Sequence, residues 1–301
     1  MKLYEKIKCP ICKSLNFSVL KERKKIFSNI KKIKKFYYSS SDHKLIDQLV
    51  KCNKCNFIYL NPRINSNTIF NSYMNTPDKE FIKYNESRIE TFIKNFKKVV
   101  NTIKITNKRK FKILDIGTGG GAFLLAGKKL GFDVSGLEPN KWLVNQARKK
   151  YKIDIFQGTI EKFKSNKKYD LICFWDVFEH VVDLNITLRI CKKLLNSNGY
   201  LLLNVPDHGS LARKILRYNW PFYLNVHLYY FEKKTIQKLL AKYNFKLKND
   251  FIHFQKLPLK YILKRASNYF KFFKFIHKVF PKKLNFDLWY NMGQKLYLFK
   301  K

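Results

Sequence analysis

Across residues 111–206 short apolar runs alternate with helical stretches, and this alternation restricts the chain to a layered sheet with crossover helices. Strands are expected at 112–116, 132–137, 153–156, 169–175 and 200–205. Helices are expected at 122–130, at 141–151 and up to residue 195. A helix at 233–243 and strands at 245–253 and 284–299 complete a seven-stranded, mostly parallel Rossmann-like sheet of the α/β class. The apolar spacing of Ile89, Phe92, Ile93, Phe96, Val99, Val100 and Ile103 predicts helix over 65–105.

The first strand runs into Leu114-Asp115-Ile116-Gly117-Thr118-Gly119-Gly120-Gly121. Glycines there let the backbone turn tightly and approach a ligand, while the next helix offers free amides to an anionic group. The same letters suit a dinucleotide, with Glu138 about 20 residues on to take ribose hydroxyls. Asp115 argues against that ligand. A carboxylate there opposes a pyrophosphate and suits the ammonium and sulfonium charges of S-adenosylmethionine (SAM). Trp175-Asp176-Val177-Phe178-Glu179-His180 at the end of the fourth strand, and Asn198-Gly199 before the fifth, complete the pattern.

With these motifs the chain resembles the class I SAM-dependent methyltransferases, and more narrowly bacterial members with an N-terminal four-cysteine zinc ribbon. The resemblance extends to His227-Leu228-Tyr229-Tyr230-Phe231 and is weakest over 13–50 and 255–285. It implies that Asp115, Gly117, Thr118, Gly119 and Gly121 surround the methionine end of SAM. Glu138 then holds the ribose, Pro139, Thr159 and Ile160 wall the adenine, and Trp175 and Asp176 approach the methyl donor. Gly158-Thr159 departs from the family, which often has an acid after the third strand. The resemblance implies a sugar acceptor in surface polysaccharide synthesis. A quinone or other small aromatic is the alternative acceptor.

Cys9-Pro10-Ile11-Cys12 and Cys52-Asn53-Lys54-Cys55 form two C-x2-C pairs separated by 39 residues. Each such turn presents two thiolates, so the four suit one closed tetrahedral Zn²⁺ site of structural rather than catalytic kind. The interval exceeds the common spacing and calls for a β-loop or an insertion between the pairs. Cys173 and Cys191 fall in core elements and read as packing. The chain thus divides into a zinc ribbon at 1–62, a helical connector at 63–110 and a SAM-binding domain at 111–301, with a helical insertion near 256–281.

Methylation of a hydroxyl needs a base, and a neutral histidine suits that near pH 7. His180, at the end of the fourth strand, and His227 are the candidates, with Glu179 as an orienting carboxylate. His208 is a third histidine near the fifth strand, and the aromatic run 218–223 is a candidate acceptor contact. Residues 258–280 mix aromatics with lysines, as either a packed insertion with a solvated Lys face or a membrane-surface helix.

The formal charge of +41 invites a zinc-ribbon nucleic-acid binder as the rival class. The excess is spread along the chain and is nearly all Lys, beside abundant Asn, Ile, Phe and Tyr. AT-rich codons supply that residue set, so nucleic acid is not the expected partner. Without an apolar leader or a long apolar run, the expected location is cytoplasmic, or peripheral at the inner membrane if 258–280 docks there.

Overall fold

The computed structural model describes residues 3–24, 44–74, 76–281, 284 and 286–301. Most of the expected loop between the cysteine pairs, 25–43, lies outside them. The N-terminal part contains β1 (Tyr4–Glu5), β2 (Phe17–Lys21), β3 (Leu49–Cys52), β4 (Ile58–Leu60) and β5 (Arg63–Ile64). Three helices follow: α1 (Ser66–Met74), α2 (Lys79–Lys83) and α3 (Asn85–Thr102). The alternating region is β6 (Lys112–Ile116), α4 (Ala122–Lys129), β7 (Asp133–Glu138), α5 (Lys141–Tyr151), β8 (Ile155–Gln157), β9 (Tyr169–Trp175), α6 (Leu184–Leu194) and β10 (Leu195–Pro206). The remainder is α7 (Leu211–Leu216), β11 (Tyr229–Tyr230), α8 (Lys233–Ala241), β12 (Lys246–Ile252), β13 (Gln255–Pro258), α9 (Leu259–Ser267), α10 (Lys271–Val279), β14 (Asp287–Tyr290) and β15 (Gln294–Lys300).

The main sheet has seven strands in the order β12-β15-β10-β9-β6-β7-β8. β8, β7, β6, β9 and β10 are parallel, and β15 runs antiparallel between β10 and β12. Parallel strands buried on both faces read as continuous apolar runs, and β9 (Tyr-Asp-Leu-Ile-Cys-Phe-Trp) does so. Its residues alternate between two cores. Leu171, Cys173 and Trp175 join Phe96, Val99, Phe123 and Val144 from α3, α4 and α5. Ile172 and Phe174 join Leu188 and Leu239 from α6 and α8. The chain reverses direction across the sheet between β6 and β9, and ligands bind beyond the carboxyl ends of strands at such a switch point.

The second core continues into the N-terminal part, taking in Cys9, Ile11, Leu49, Val50, Phe57 and Tyr59. β2, β3 and β4 form a sheet that β11 completes, with Tyr229 opposite Tyr59. The cysteine ribbon is therefore packed into the rest of the chain. Three details depart from expectation, the first being that the helix expected over 65–105 is divided into α1, α2 and α3. Residues 258–280 form two helices, α9 and α10, and the last strand divides into β14 and β15. The division falls at Gly293, whose φ of +99° makes the turn and whose amide donates to Asn291 Oδ1. β14 pairs with β13 outside the main sheet. No helix among the described residues is long and apolar enough to cross a membrane.

Candidate active site and metal centre

The loop after β6 is built on left-handed glycines: Gly117, Gly119 and Gly121 have φ of +70°, +56° and +78°. The amides of Gly117 and Thr118 both donate to the Leu137 carbonyl, at 2.7 and 3.1 Å, which ties the loop to the end of β7. A Cβ on Gly117 would lie 2.6 Å from Val177 Cγ2. Gly117→Ala is therefore expected to combine a clash with a strained backbone, costing about 1–3 kcal/mol. Thermal unfolding beside SAM titration checks it, and wild-type values for both would contradict the close approach.

Glu138 ends β7 fully buried. Its Oε2 accepts from Gly119 N at 2.8 Å, and its Oε1 accepts from Asn140 N at 2.8 Å and from Tyr73 Oη at 2.9 Å. Tyr73 belongs to α1, and the Asn140 amide holds that helix down by donating to the carbonyls of Tyr73 and Thr76. A carboxylate has about four acceptor positions, so three are engaged and a ribose diol requires Tyr73 to yield one.

Burial pushes the carboxyls of both Asp115 and Glu138 up to about 7, with Glu138 adding repulsion at Asp115. The folded protein therefore binds more protons than the unfolded chain between about pH 4 and 7, and this contribution to stability fades as pH rises through that window. A ligand bearing ammonium and sulfonium charge favours the ionised form. SAM affinity is expected to fall about tenfold for each such carboxyl between pH 8 and pH 6. Calorimetry at the two pH values tests this, and an affinity independent of pH would remove both groups from the ligand's charged end.

These residues border a cavity of about 340 Å³. Asp115, Gly117, Thr118, Pro139, Thr159, Ile160, Trp175 and Asp176 line it, while Glu138 lies behind Tyr73 and Gly119 and Gly121 shape the loop beneath. Cys173 is more than packing, since its thiol lies 3.4 Å from Asp115 Oδ1. Asp176 occupies a left-handed φ of +55°, rare outside glycine. Its Oδ1 accepts from Asn204 Nδ2 at 2.8 Å and from Gln294 Nε2. Burial raises it to about 6.

Glu179, His180 and His227 meet at the same cavity, and one ligand atom from each lies within 4.8 Å of the others. The imidazole rings are 4.8 Å apart edge to face. His180 Nδ1 lies 2.8 Å from the Val226 carbonyl and His227 Nδ1 2.8 Å from the Phe222 carbonyl. A carbonyl only accepts, so each Nδ1 carries the proton and each Nε2 keeps its lone pair. Burial lowers His180 to about 4 and holds His227 well below the usual imidazole range, with the His180 charge opposing that of His227. Neither Glu179 oxygen has a hydrogen-bond partner, and burial raises its carboxyl well above the usual range. The set can serve as a proton acceptor, or its two Nε2 atoms and one carboxylate can take a divalent cation.

His208 lies elsewhere, held between Tyr223 Oη at 2.8 Å and Glu232 Oε1 at 3.1 Å beside a second cavity. Of the 218–223 aromatics only Phe222 lines the catalytic cavity. Arg88, Arg265 and His253 line it without any signal in the linear pattern, because they come from α3, α9 and the turn between β12 and β13.

In the ribbon, Cys9 Sγ is 3.5 Å from Cys55 Sγ, Cys12 Sγ is 3.4 Å from Cys52 Sγ, and all four lie within 4.8 Å. A tetrahedral Zn–S bond of about 2.3 Å implies sulfur separations of about 3.8 Å. The two knuckles repeat one geometry. Lys13 and Asn56, each following its second cysteine, have φ of +62° and +64°. Burial pushes the Cys9 and Cys55 thiols up, Cys55 to about 11, so four thiolates require a cation among them.

The strand order, the glycine loop beneath the switch point and the acidic end of β7 define a class I SAM-dependent methyltransferase. The chain belongs to the family described as "Methyltransferase domain", whose model matches residues 84–249, more than half of its length. Two curated relatives are both called ubiquinone biosynthesis O-methyltransferase. That of Pelagibacter ubique (strain HTCC1062) is 33% identical over 121 residues, covering 38% of this chain and 48% of the relative. That of Actinobacillus pleuropneumoniae serotype 7 (strain AP76) is 35% identical over 104 residues, covering 31% and 44%. The chain spans about half the length of the curated relatives it matches. A solved SAM-dependent methyltransferase from Archaeoglobus fulgidus shares the fold, with a TM-score of 0.50 and 16% identity over 74% of this chain and 100% of that one.

Proposed function

We propose that the protein transfers a methyl group from SAM to a phenolic oxygen of a small, quinone-type aromatic, with a structural zinc in the four-cysteine ribbon. The observation that carries this reading is the pair of buried imidazoles beside the methyl-donor end. Burial makes them weak bases. A phenol ionises near pH 10, whereas an alkyl hydroxyl resembles water, near 16, and is out of reach of such a base. The sugar acceptor implied by the resemblance draws no support from the relatives, whose names point to a quinone pathway.

SAM supplies an electrophilic methyl group on a sulfonium. Asp115 answers its ammonium, Glu138 its ribose, and Pro139, Thr159 and Ile160 cover its base. Trp175 and Asp176 border the transfer site. Phe222, Leu224 and Val226 supply an apolar wall suited to a flat ring. The acceptor proton passes to Nε2 of His180 or His227 as the oxygen attacks in line, and positioning alone contributes several kcal/mol. Cys9, Cys12, Cys52 and Cys55 would hold the zinc with no open position, so it braces the ribbon rather than joining the reaction.

The test is formation of S-adenosylhomocysteine from SAM with catechol, against a hexose as acceptor. Turnover with catechol is the expected result; turnover with the hexose alone would restore the sugar reading. The cluster of Glu179 with two free Nε2 atoms favours one second reading, a divalent cation that orients the acceptor oxygen. In that case a chelator abolishes turnover and magnesium or manganese restores it with the ribbon zinc unchanged.

On α10, Phe272, Phe275 and Val279 are exposed, at 70%, 67% and 58%. This supports contact with an apolar surface over a face of solvated lysines alone, and with it a peripheral placement. Flotation with anionic vesicles tests that contact.

A further inference from the structure

A second cavity, of about 750 Å³, lies between the ribbon sheet and the helices that follow β10, and it shares no lining residue with the catalytic one. Its walls bring together Lys51 of β3, Arg213 of α7, Arg217 and Tyr218 just after α7, and Lys234 and Lys238 of α8. Arginine is sparse in this chain, nine of 62 basic residues, so codon bias toward lysine does not account for two arginines four positions apart on one wall. Like charges drawn into a concave space reinforce one another, and such a cleft concentrates anions.

These cations are not answered within the chain. Glu232 is the one carboxylate among the lining residues, and its Oε1 is engaged by His208 Nδ1 at 3.1 Å. Arg213 donates from Nε to the His208 carbonyl at 2.6 Å and sets Nη2 3.3 Å from His208 Nδ1, which orients its guanidinium and leaves Nη1 to a ligand. Lys51, Arg217, Lys234 and Lys238 form no ion pair or side-chain hydrogen bond among the described residues. Four thiolates around one zinc would keep a double negative charge beside Cys55, so the lining stays cationic with the ribbon filled. Arg217 is held at a φ of +48°, a strained conformation for a residue with a Cβ, and strain of that kind gathers at ligand sites.

The lining also offers a ring. Tyr218 is 57% exposed, and its hydroxyl donates to the Leu20 carbonyl at 2.8 Å, which pins its ring 6.0 Å from that of Tyr223. Leu20, Leu49 and Ile58 add apolar surface. A fixed, exposed ring gives a face on which a flat base stacks. Several convergent cations, two of them planar forks, fit oxygens spread over more than one phosphate better than they fit a single carboxylate.

We propose that this cavity binds a nucleotide, a flat base carrying two or more phosphates, with Arg213, Arg217, Lys234 and Lys238 around the phosphates and Tyr218 against the base. The site is separate from methyl transfer, and its occupation does not depend on which acceptor the catalytic cavity takes.

The experiment is calorimetric titration of ADP, UDP, pyrophosphate and adenosine into the zinc-loaded protein saturated with S-adenosylhomocysteine, which keeps adenosine groups out of the catalytic cavity. One nucleoside diphosphate is expected to bind per chain, about tenfold more tightly than pyrophosphate or adenosine, as stacking of one base supplies. Arg217→Gln is expected to weaken it about tenfold, through loss of a charged hydrogen bond. Tyr218→Leu is expected to bring it down to the level of pyrophosphate. Both variants should keep wild-type affinity for S-adenosylhomocysteine and so report an intact fold. Lys128→Gln, which removes an exposed charge on α4, is expected to change nothing. Absence of saturable nucleotide binding would overturn the proposal, and so would an equal loss in Lys128→Gln, which traces binding to the diffuse charge of the chain. Pyrophosphate bound as tightly as either nucleotide would remove the base from the site. A thymidine oligonucleotide bound more tightly than the mononucleotides, and weakened by Arg217→Gln, would replace the nucleotide with a nucleic-acid strand.

Discussion

His227→Ala is expected to lower kcat by about 10²- to 10⁴-fold, the range spanned by a positioned proton acceptor, while leaving SAM affinity within about twofold. The rings of His180 and His227 lie 4.8 Å apart with each Nδ1 turned to a backbone carbonyl, so in the proposed reaction the two share one proton. His180→Ala should carry a similar penalty, and the double variant should lose little more than either alone, because groups that act as a unit are not additive. Rapid-quench measurement of S-adenosylhomocysteine formation reads the chemical step. A kcat within threefold of wild type in both single variants would exclude the pair as the base. Since burial holds His180 near 4, raising the pH should not switch it off. Loss of activity is expected on the acid side, through protonation of Asp115 and Glu138 near 7.

The second large effect concerns the ribbon. Cys52→Ser is expected to release the metal and to unfold the N-terminal sheet. Structural zinc contributes about 10–16 kcal/mol of apparent binding energy in small zinc-binding peptides, comparable with the about 5–15 kcal/mol that holds a whole domain together. The loss should spread, because Cys9, Cys52 and Phe57 share a core with Phe174, Phe178 and Leu239 of the catalytic unit. Metal analysis should find one zinc per chain in the wild type and none in the variant, with a melting temperature lower by ten degrees or more. Cys191→Ala, a buried cysteine outside the cluster, is the control and should keep its zinc. Full zinc content in Cys52→Ser would show that the knuckles are not the site.

Several features were legible along the chain because they are local. The glycine loop follows from backbone positions that only glycine occupies without strain, and Gly117, Gly119 and Gly121 all fall in the left-handed region. The cysteine knuckles follow from ligand spacing within one turn. The alternation of strand and helix follows from periodicity, and it predicts the seven strands of a mostly parallel sheet, in which β15 runs antiparallel to its neighbours. Residues 258–280 are helical as expected, in two pieces, whereas the last strand, expected whole over 284–299, is divided just beyond the segment that resembles the family least. There Gly293 and the β13–β14 pairing override the local pattern.

The sequence by itself determined what is donated, because Asp115 before the loop, with Trp175–His180 and Asn198–Pro206 after it, selects a cationic methyl donor over a pyrophosphate. Tertiary structure alone decided which side chains the cavity beyond Trp175 and Asp176 gathers. His180 and His227 are 47 residues apart and meet because β11 adds to the ribbon sheet and brings its preceding turn over the end of β9. Tyr73 reaches Glu138 across 65 residues because α1 folds over the cleft. Arg88 and Arg265 converge from α3 and α9, separated by nearly the whole catalytic unit. Periodicity and spacing report contacts within a turn or a strand. A cavity wall gathers one or two side chains from each of many elements, and its chemistry exists only once the sheet order has brought them together.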